Sequence, residues 1–522
     1  MSRTTTLRRP GVLTLLALSS LAVTGCLGGG AAQSTGTSTV TGHPGTGVAA
    51  ARADSVVQGA APTPGPDHPN VLMVTVDDAA PGNLRYMPNV RRLIAARGVT
   101  LTNGVAPTPI CVPARASLLT GQYAHNHGAH TISGPSGGFQ SFVDAETLPV
   151  WLRRAGYDTL FVGKYLNGYG DALGSRTYVP PGWSEWRATL GRSTYDYLQP
   201  VMNVNGQVQK VREYSSDLFS DYAVDLLSRK ERSQRPWFMT VNYVAPHGGG
   251  PMEPDDPSIT HPEARPEVPT PTVALRHRDE FDRLGLPHTP DMFERDTTDK
   301  ARASGTSHHW SSLGRRMLRE ANQQRIESLQ AVDEGVARAI RALRRTGQLR
   351  RTVITFSSDN GYLVGQHNRQ AKLIHYEDSL KVPMVLRGPG IPQGTRVATQ
   401  VTNADLPTTI AALTGATPTR PQDGIDIRPL LRSGVRDRVI PIHAWQVHDG
   451  SRSVYEGVRT RRWTFVRFTD GEEELYDHKK DPYQLSNLAN RKSYHRIVKQ
   501  MRSLTLRYNS CAGVTCHGSV SS

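Results

Sequence analysis

NVLMVTVDD, residues 70–78, is an apolar run that stops abruptly at two carboxylates, Asp77 and Asp78. A short run of this kind, without strict alternation, reads as a strand buried on both faces, the pattern of a parallel sheet. Two later stretches repeat it. RPWFMTVNYVAPHGGG (235–250) ends near His247, and RTVITFSSDNGY (351–362) runs into Asp359 and Asn360. Helical patterns lie between them. MPNVRRLIAARG (87–98) is stopped by Gly98, and ETLPVWLRRAGYDTLFVGKYLNGYG (146–170) reads as helix, break at Gly156, strand and polar loop. Over 313–346, Leu329, Val332, Val336, Ile340 and Leu343 recur at helical spacing until Gly347. Helices alternating with apolar strands predict an α/β body with a mostly parallel central sheet flanked by helices.

The character changes near residue 435. SVYEGVRTRRWTFVRF (453–468) and EEELYD (472–477) alternate apolar and polar positions around an Asp470-Gly471 turn, and YHRIVKQMRSLTLRY (494–508) is an amphipathic helix. The expected organisation is a large domain over 67–435 and a small antiparallel sheet with one helix over 436–522. The stretch 248–312, rich in Pro, His and Asp, predicts a functional loop over the site rather than a linker.

Before residue 67 the chain reads differently. A basic start (MSRTTTLRRPG), a short apolar run (VLTLLALSSLAV) and VTGC ending at Cys26 have the form of a bacterial lipoprotein leader over 1–26. An ordinary cleaved signal peptide is the other reading, and Arg8-Arg9 fit a twin-arginine signal poorly. Residues 27–66, rich in Gly, Ala, Thr and Pro, form a flexible tether. The expectation is an extracellular protein held to the membrane by an acyl chain on Cys26. The chain carries 61 Lys+Arg against 46 Asp+Glu, a formal +15, which is compatible with an acidic substrate. Nucleic acid is not indicated, because no recognition motif appears and the basic residues are dispersed.

Strand ends are where open α/β sheets bind ligands. A carboxylate pair after a strand more often caps a turn, but Asp77, Asp78, Asp359 and Asn360 together offer oxygen ligands from two strands. That set suits a hard cation, Ca²⁺ or Mg²⁺, and no Cys/His ligand cluster suggests structural zinc. Of the remaining cysteines, Cys511 and Cys516 are spaced for a short-loop disulfide near the end of an exported chain. Cys111 is left over. In PTPICVPARASLLTGQ (107–122) it opens a helix that ends at Gly121, and Arg115 lies one turn on, on the same face. An anion held at the helix start would meet both. Alone, the motif reads equally well as an inert buried thiol.

CVPAR followed by ASLLTGQ resembles the C-x-P-x-R signature of type I sulfatases, the formylglycine-dependent branch of the alkaline-phosphatase-like superfamily. The resemblance runs over about 69–508 and includes GKYLNGYG, PPGWSEW, APHG, SDNGY, KVPMVLRGPG and LYDHKKDPYQLSNLA. Among sulfatases it is most similar to N-acetylglucosamine-6-sulfatases and extracellular heparan sulfate endosulfatases. The resemblance implies that a separate formylglycine-generating enzyme oxidises Cys111 to formylglycine (3-oxoalanine). The hydrated aldehyde is a geminal diol: one hydroxyl attacks sulfur, and the second expels sulfate and restores the aldehyde. It further implies Ca²⁺ held by Asp77, Asp78, Asp359, Asn360 and the modified Cys111. Arg115 would steady the diol, while Lys164 and Lys372 contact the sulfate. His247 would bind sulfate and help protonate the leaving oxygen. The implied substrate is a sulfated saccharide, the 6-sulfate of glucosamine foremost.

Two departures stand out. Where many sulfatases have His two residues after the first lysine, this chain has Leu166, which leaves Asn167 as the candidate for that role. Lys372 is placed by spacing alone, with His367 and His375 as rivals. Other readings of the same scaffold are a broad arylsulfatase, a phosphonate monoester or phosphodiester hydrolase, and a non-catalytic binder of sulfated polysaccharide.

Overall fold

The computed structural model describes residues 58–60, 62, 63, 65, 67–171, 176–231, 233–256, 268–432 and 436–520. The leader, Cys26 and nearly all of the tether lie outside the described residues. No described helix is long and apolar enough to cross a membrane.

The stretch 70–76 forms a strand whose every residue is buried, at the middle of a ten-stranded sheet. In chain order the strands are β1 (Asn70–Val76), β2 (Val99–Leu101), β3 (Asp158–Gly163), β4 (Glu185–Thr189), β5 (Val201–Val204), β6 (Gln207–Lys210), β7 (Trp237–Asn242), β8 (Thr352–Ser358), β9 (Met384–Arg387) and β10 (Thr395–Val397). Across the sheet they run β10-β2-β9-β8-β1-β7-β3-β4-β5-β6. The five central strands, β8 to β4, are mutually parallel, and antiparallel pairs flank them.

The principal helices are α1 (Pro88–Leu93), α2 (Cys111–Thr120), α3 (Leu148–Arg154), α4 (Ser215–Arg229), α5 (Ser312–Arg345), α6 (Asp405–Thr414) and α7 (His495–Tyr508). Alternate residues of β1 serve opposite faces. Leu72, Val74 and Val76 pack with Val90 of α1, Leu226 of α4 and the Leu329–Val332–Val336 stripe of α5. Val71 and Met73 pack with Trp151 of α3 and Ile410 of α6. Burying each such side chain contributes roughly 1.5–3 kcal/mol, so both faces require cover and the strand is held centrally.

The helix expected over 87–98 is shorter than the pattern suggests. It ends at Leu93, and a separate 3-10 turn, Ala95–Arg97, precedes Gly98. Gly98 lies against Leu386 O, where a Cβ would come within 1.9 Å, so only glycine fits at the entry to β2. Beyond residue 435 the chain forms four antiparallel strands, β11 (Ile440–Trp445), β12 (Ser453–Arg459), β13 (Trp463–Phe468) and β14 (Glu473–Asp477), with α7 packed on them. Cys511 and Cys516 form a disulfide.

Two of the buried histidines are expected to make the fold acid-sensitive. His127 shares its Nε2 between Pro113 O and Ser117 Oγ, at 3.2 and 3.3 Å, under α2; His443 of β11 meets Asn509 Oδ1 at 2.9 Å. Burial, with smaller contributions from neighbouring histidines, pushes both from 6.5 down to about 3. The folded protein therefore keeps them neutral where the unfolded chain takes up protons. Their stabilisation is complete above pH 6.5 and is lost progressively down to about pH 3. At pH 5 each costs about 2 kcal/mol. Denaturant unfolding at pH 7 and pH 5 should show a loss of stability that is about 2 kcal/mol smaller in His443→Gln. An equal loss in wild type and variant would contradict this.

Candidate active site

Parallel register brings the polar strand ends to one level. Val76 pairs with Ser358 and Thr75 with Asn242, so Asp77-Asp78, Asp359-Asn360 and the loop to His247 emerge side by side. Gly163 of β3 pairs with Asn242, and a Cβ there would lie 2.1 Å from Asn242 O. Glycine lets the backbones close up, and Lys164 N then donates to Asn242 O at 2.9 Å. Lys164 Nζ contacts Asp77 Oδ2 and lies 4.8 Å from the centre of the Tyr195 ring.

Cys111 begins α2, which ends at Gly121 with φ 69°. Its Sγ is 3.6 Å from Asp77 Oδ1 and 3.1 Å from Lys372 Nζ. Arg115, on the same face, spends its fork on three partners: Asp359 Oδ2 at 2.8 Å, Asp77 Oδ2 at 3.2 Å and Lys164 O at 3.0 Å. Lys372 Nζ also contacts Asp78 Oδ1, and Leu373 N donates to Pro109 O at 3.1 Å, tying this segment to the approach to Cys111. His247 Nε2 lies 3.8 Å from Asp78 Oδ2. The structure thus brings together all nine residues singled out in the sequence.

Electrostatically the cluster sets three carboxylates against three permanent cations. Burial alone would raise Asp77, but Lys164 and Arg115 outweigh it and hold this carboxyl well below the usual range. Asp359 goes the other way, raised by burial and by the negative charge of Asp77. Burial also lowers His247 to about 4 against the pull of Asp78 and Asp77. The Cys111 thiol is pushed up to about 11, by burial first and by Asp77 next.

The residues present suit a hard cation. Oxygens of Asp77, Asp78 and Asp359 lie within 4.8 Å of one another, and Asn360 Oδ1 is buried without a hydrogen-bond partner. Oxygen donors in this number match Ca²⁺ or Mg²⁺. Asp78 has φ 73°, a left-handed backbone that non-glycine residues rarely adopt.

The rivals of Lys372 lie elsewhere. His367 Nδ1 is 2.7 Å from Glu294 Oε2 and its ring stacks on Tyr376, whereas His375 Nε2 is 2.8 Å from Glu474 Oε2 among the residues of the small sheet. Leu166 is buried in an aromatic cluster and does not face the cations. Asn167 Nδ2 donates to Tyr195 OH at 2.9 Å, and the Tyr195 ring lies 4.7 Å from that of His247. Tyr195 was not signalled by any motif. The described part of the 248–312 stretch packs on the segment carrying Lys372, through Phe293 N to Gly365 O at 3.0 Å and His367 N to Asp291 O at 2.8 Å.

The family model described as Sulfatase matches residues 69–416, and that described as N-sulphoglucosamine sulphohydrolase, C-terminal, matches residues 365–509. N-acetylglucosamine-6-sulfatase of Capra hircus is 30% identical over 512 residues, spanning 87% of this chain and 85% of its own length. Arylsulfatase of Volvox carteri is 28% identical over 499 residues, covering 86% and 75%. A protein solved in complex with its substrate D-glucosamine-2-N,6-O-disulfate shares the fold, with a TM-score of 0.69 over 84% of this chain and 97% of that one at 21% identity. Because the first match spans well over half the chain and contains every residue of the buried cluster, the protein belongs to the sulfatase family, enzymes that hydrolyse sulfate esters.

Proposed function

We propose that this sulfatase acts on sulfated glycans, with the 6-sulfate of N-acetylglucosamine as its preferred ester, and that Cys111 works as formylglycine. The observation that carries the reading is the position of Cys111. It sits at a helix start, buried, with its Sγ 3.1 Å from Lys372 Nζ and 3.6 Å from Asp77 Oδ1, among the groups that would hold the ion and the sulfate. As hydrated formylglycine, position 111 would offer one hydroxyl as nucleophile and a second through which sulfate would be released. Asp77, Asp78, Asp359 and Asn360, together with the modified Cys111, would hold a divalent ion, Ca²⁺ in this reading, which would supply Lewis acidity when bound.

The chain's own groups complete the site. Arg115, braced by Asp77, Asp359 and the Lys164 carbonyl, orients the side chain at position 111. Lys164 and Lys372, both kept protonated by neighbouring carboxylates against the effect of burial, bind the sulfate oxygens. His247 binds sulfate and donates a proton toward the leaving oxygen. Tyr195, to which Asn167 donates, stands beside both Lys164 and His247.

The substrate choice is supported by the goat relative, matched along most of its length. The Volvox arylsulfatase, matched almost as well, favours a second reading with a broad leaving group. Exported protein anchored through Cys26 and matured by a formylglycine-generating enzyme fits the leader and the Cys511–Cys516 disulfide.

Release of inorganic sulfate or phosphonate from defined esters tests the assignment. Matured protein is expected to hydrolyse N-acetylglucosamine 6-sulfate with kcat/KM at least about tenfold above that for 4-nitrophenyl sulfate, the discrimination available from about 1.4 kcal/mol of differential binding. Equal or faster aryl sulfate turnover would select the arylsulfatase reading. Faster cleavage of a phenylphosphonate ester than of any sulfate would overturn both.

A further inference from the structure

Arg325 is a charged residue in an apolar row. It lies four positions before Leu329 on α5, in line with the buried stripe, and is only 3% exposed. Among the described residues it has no carboxylate partner within ion-pair distance. Its charge is received by two carbonyl dipoles and a ring face. Nη1 donates to Pro246 O at 2.8 Å, Nη2 donates to Asp78 O, and the guanidinium carbon lies 3.8 Å from the centre of the Tyr362 ring.

These partners belong to three loops. Asp78 follows β1, Pro246 precedes His247 after β7, and Tyr362 follows Asp359-Asn360 after β8. One planar group therefore links the three adjacent strand ends that carry the candidate metal and sulfate ligands. Burying a cation without a counter-ion is costly. Packing the helix on the sheet does not require it, since the neighbouring apolar stripe does that already. The carbonyl it holds on Asp78 belongs to the residue with φ 73°, so the bond restrains a backbone conformation that sets the direction of that carboxylate.

We infer that Arg325 is a positioning residue that sets divalent-metal affinity, by fixing Asp78 and the His247 loop against Asp359-Asn360. The inference rests on the proposed reading that these oxygens hold the ion. A lysine at this place could reach one carbonyl but could not reproduce the fork or its stacking.

The test uses the full mature protein, stripped with chelator and titrated with Ca²⁺ by calorimetry, together with the rise in Tm that Ca²⁺ produces. Arg325→Met is expected to weaken Ca²⁺ binding about tenfold or more, the usual scale for removing a partner that orients metal ligands. Arg325→Lys should fall between. The Ca²⁺-induced rise in Tm should shrink in the same order, because ligand stabilisation follows affinity. A merely structural residue would lower Tm in chelator and leave that affinity intact. Variants binding Ca²⁺ within twofold of wild type would therefore overturn the inference, whatever their Tm. If Arg325→Met does not fold, Arg325→Lys decides by the same criterion. Wild-type protein that binds neither Ca²⁺ nor Mg²⁺ would overturn the metal reading, and the role of Arg325 with it.

Discussion

Cys111→Ala is expected to release sulfate at least about 10⁴-fold more slowly than matured wild type, the scale on which loss of a nucleophile acts. Wild-type chain made in a host without the maturation enzyme should be equally inactive. Its thiol lacks the second hydroxyl through which sulfate would be expelled. Cys111→Ser separates this mechanism from ordinary nucleophilic catalysis. An introduced serine has one hydroxyl and no second group to expel sulfate, so at most one turnover per site should occur, with sulfate found on that residue by mass spectrometry. Steady turnover by Cys111→Ala, or an unmodified cysteine in fully active enzyme, would remove the basis of the proposal.

Stripping divalent ions is expected to lower kcat by about 10³-fold or more, corresponding to roughly 4 kcal/mol of electrostatic stabilisation, with recovery on adding Ca²⁺. Asp77→Asn should lose as much activity without recovery. The same substitution removes the countercharge that Arg115 and Lys164 share, both of which are buried. An uncompensated buried cation costs about 3–5 kcal/mol, so the variant should also unfold at lower denaturant. Arg115 retains Asp359, which places the expected loss toward the lower end of that range. Activity within tenfold of wild type, in protein shown by elemental analysis to be free of metal, would exclude the carboxylate cluster as a metal centre.

Much of this architecture was legible locally. The apolar runs at 70–76, 237–242 and 352–358 each form a buried parallel strand, and the Leu329–Leu343 periodicity lies within one long helix. Other features depended on distant partners. The pattern at 87–98 gave no hint that the helix would stop at Leu93, nor that Gly98 would lie against the backbone of Leu386, nearly three hundred residues away. Tyr195 belongs to no motif and reaches the site only because its ring lies between Lys164 and His247. Arg325 carried a readable sign, a charge on the apolar stripe, but its partners could not be inferred from the helix alone.

By itself the sequence determined that 70–76, 158–163, 237–242 and 352–358 are strands, that a helix begins at Cys111, and which oxygen, sulfur and nitrogen groups stand at their ends. These depend on periodicity, capping and composition within a few residues. The strands at 185–189, 201–204, 207–210, 384–387 and 395–397 carried no such signal. Only the tertiary structure decided that Lys372, rather than His367 or His375, meets Cys111, and that one guanidinium joins three loops. Those outcomes depend on the register between strands and on backbone turns such as that of Asp78, where small shifts move a side chain from the cluster into the core.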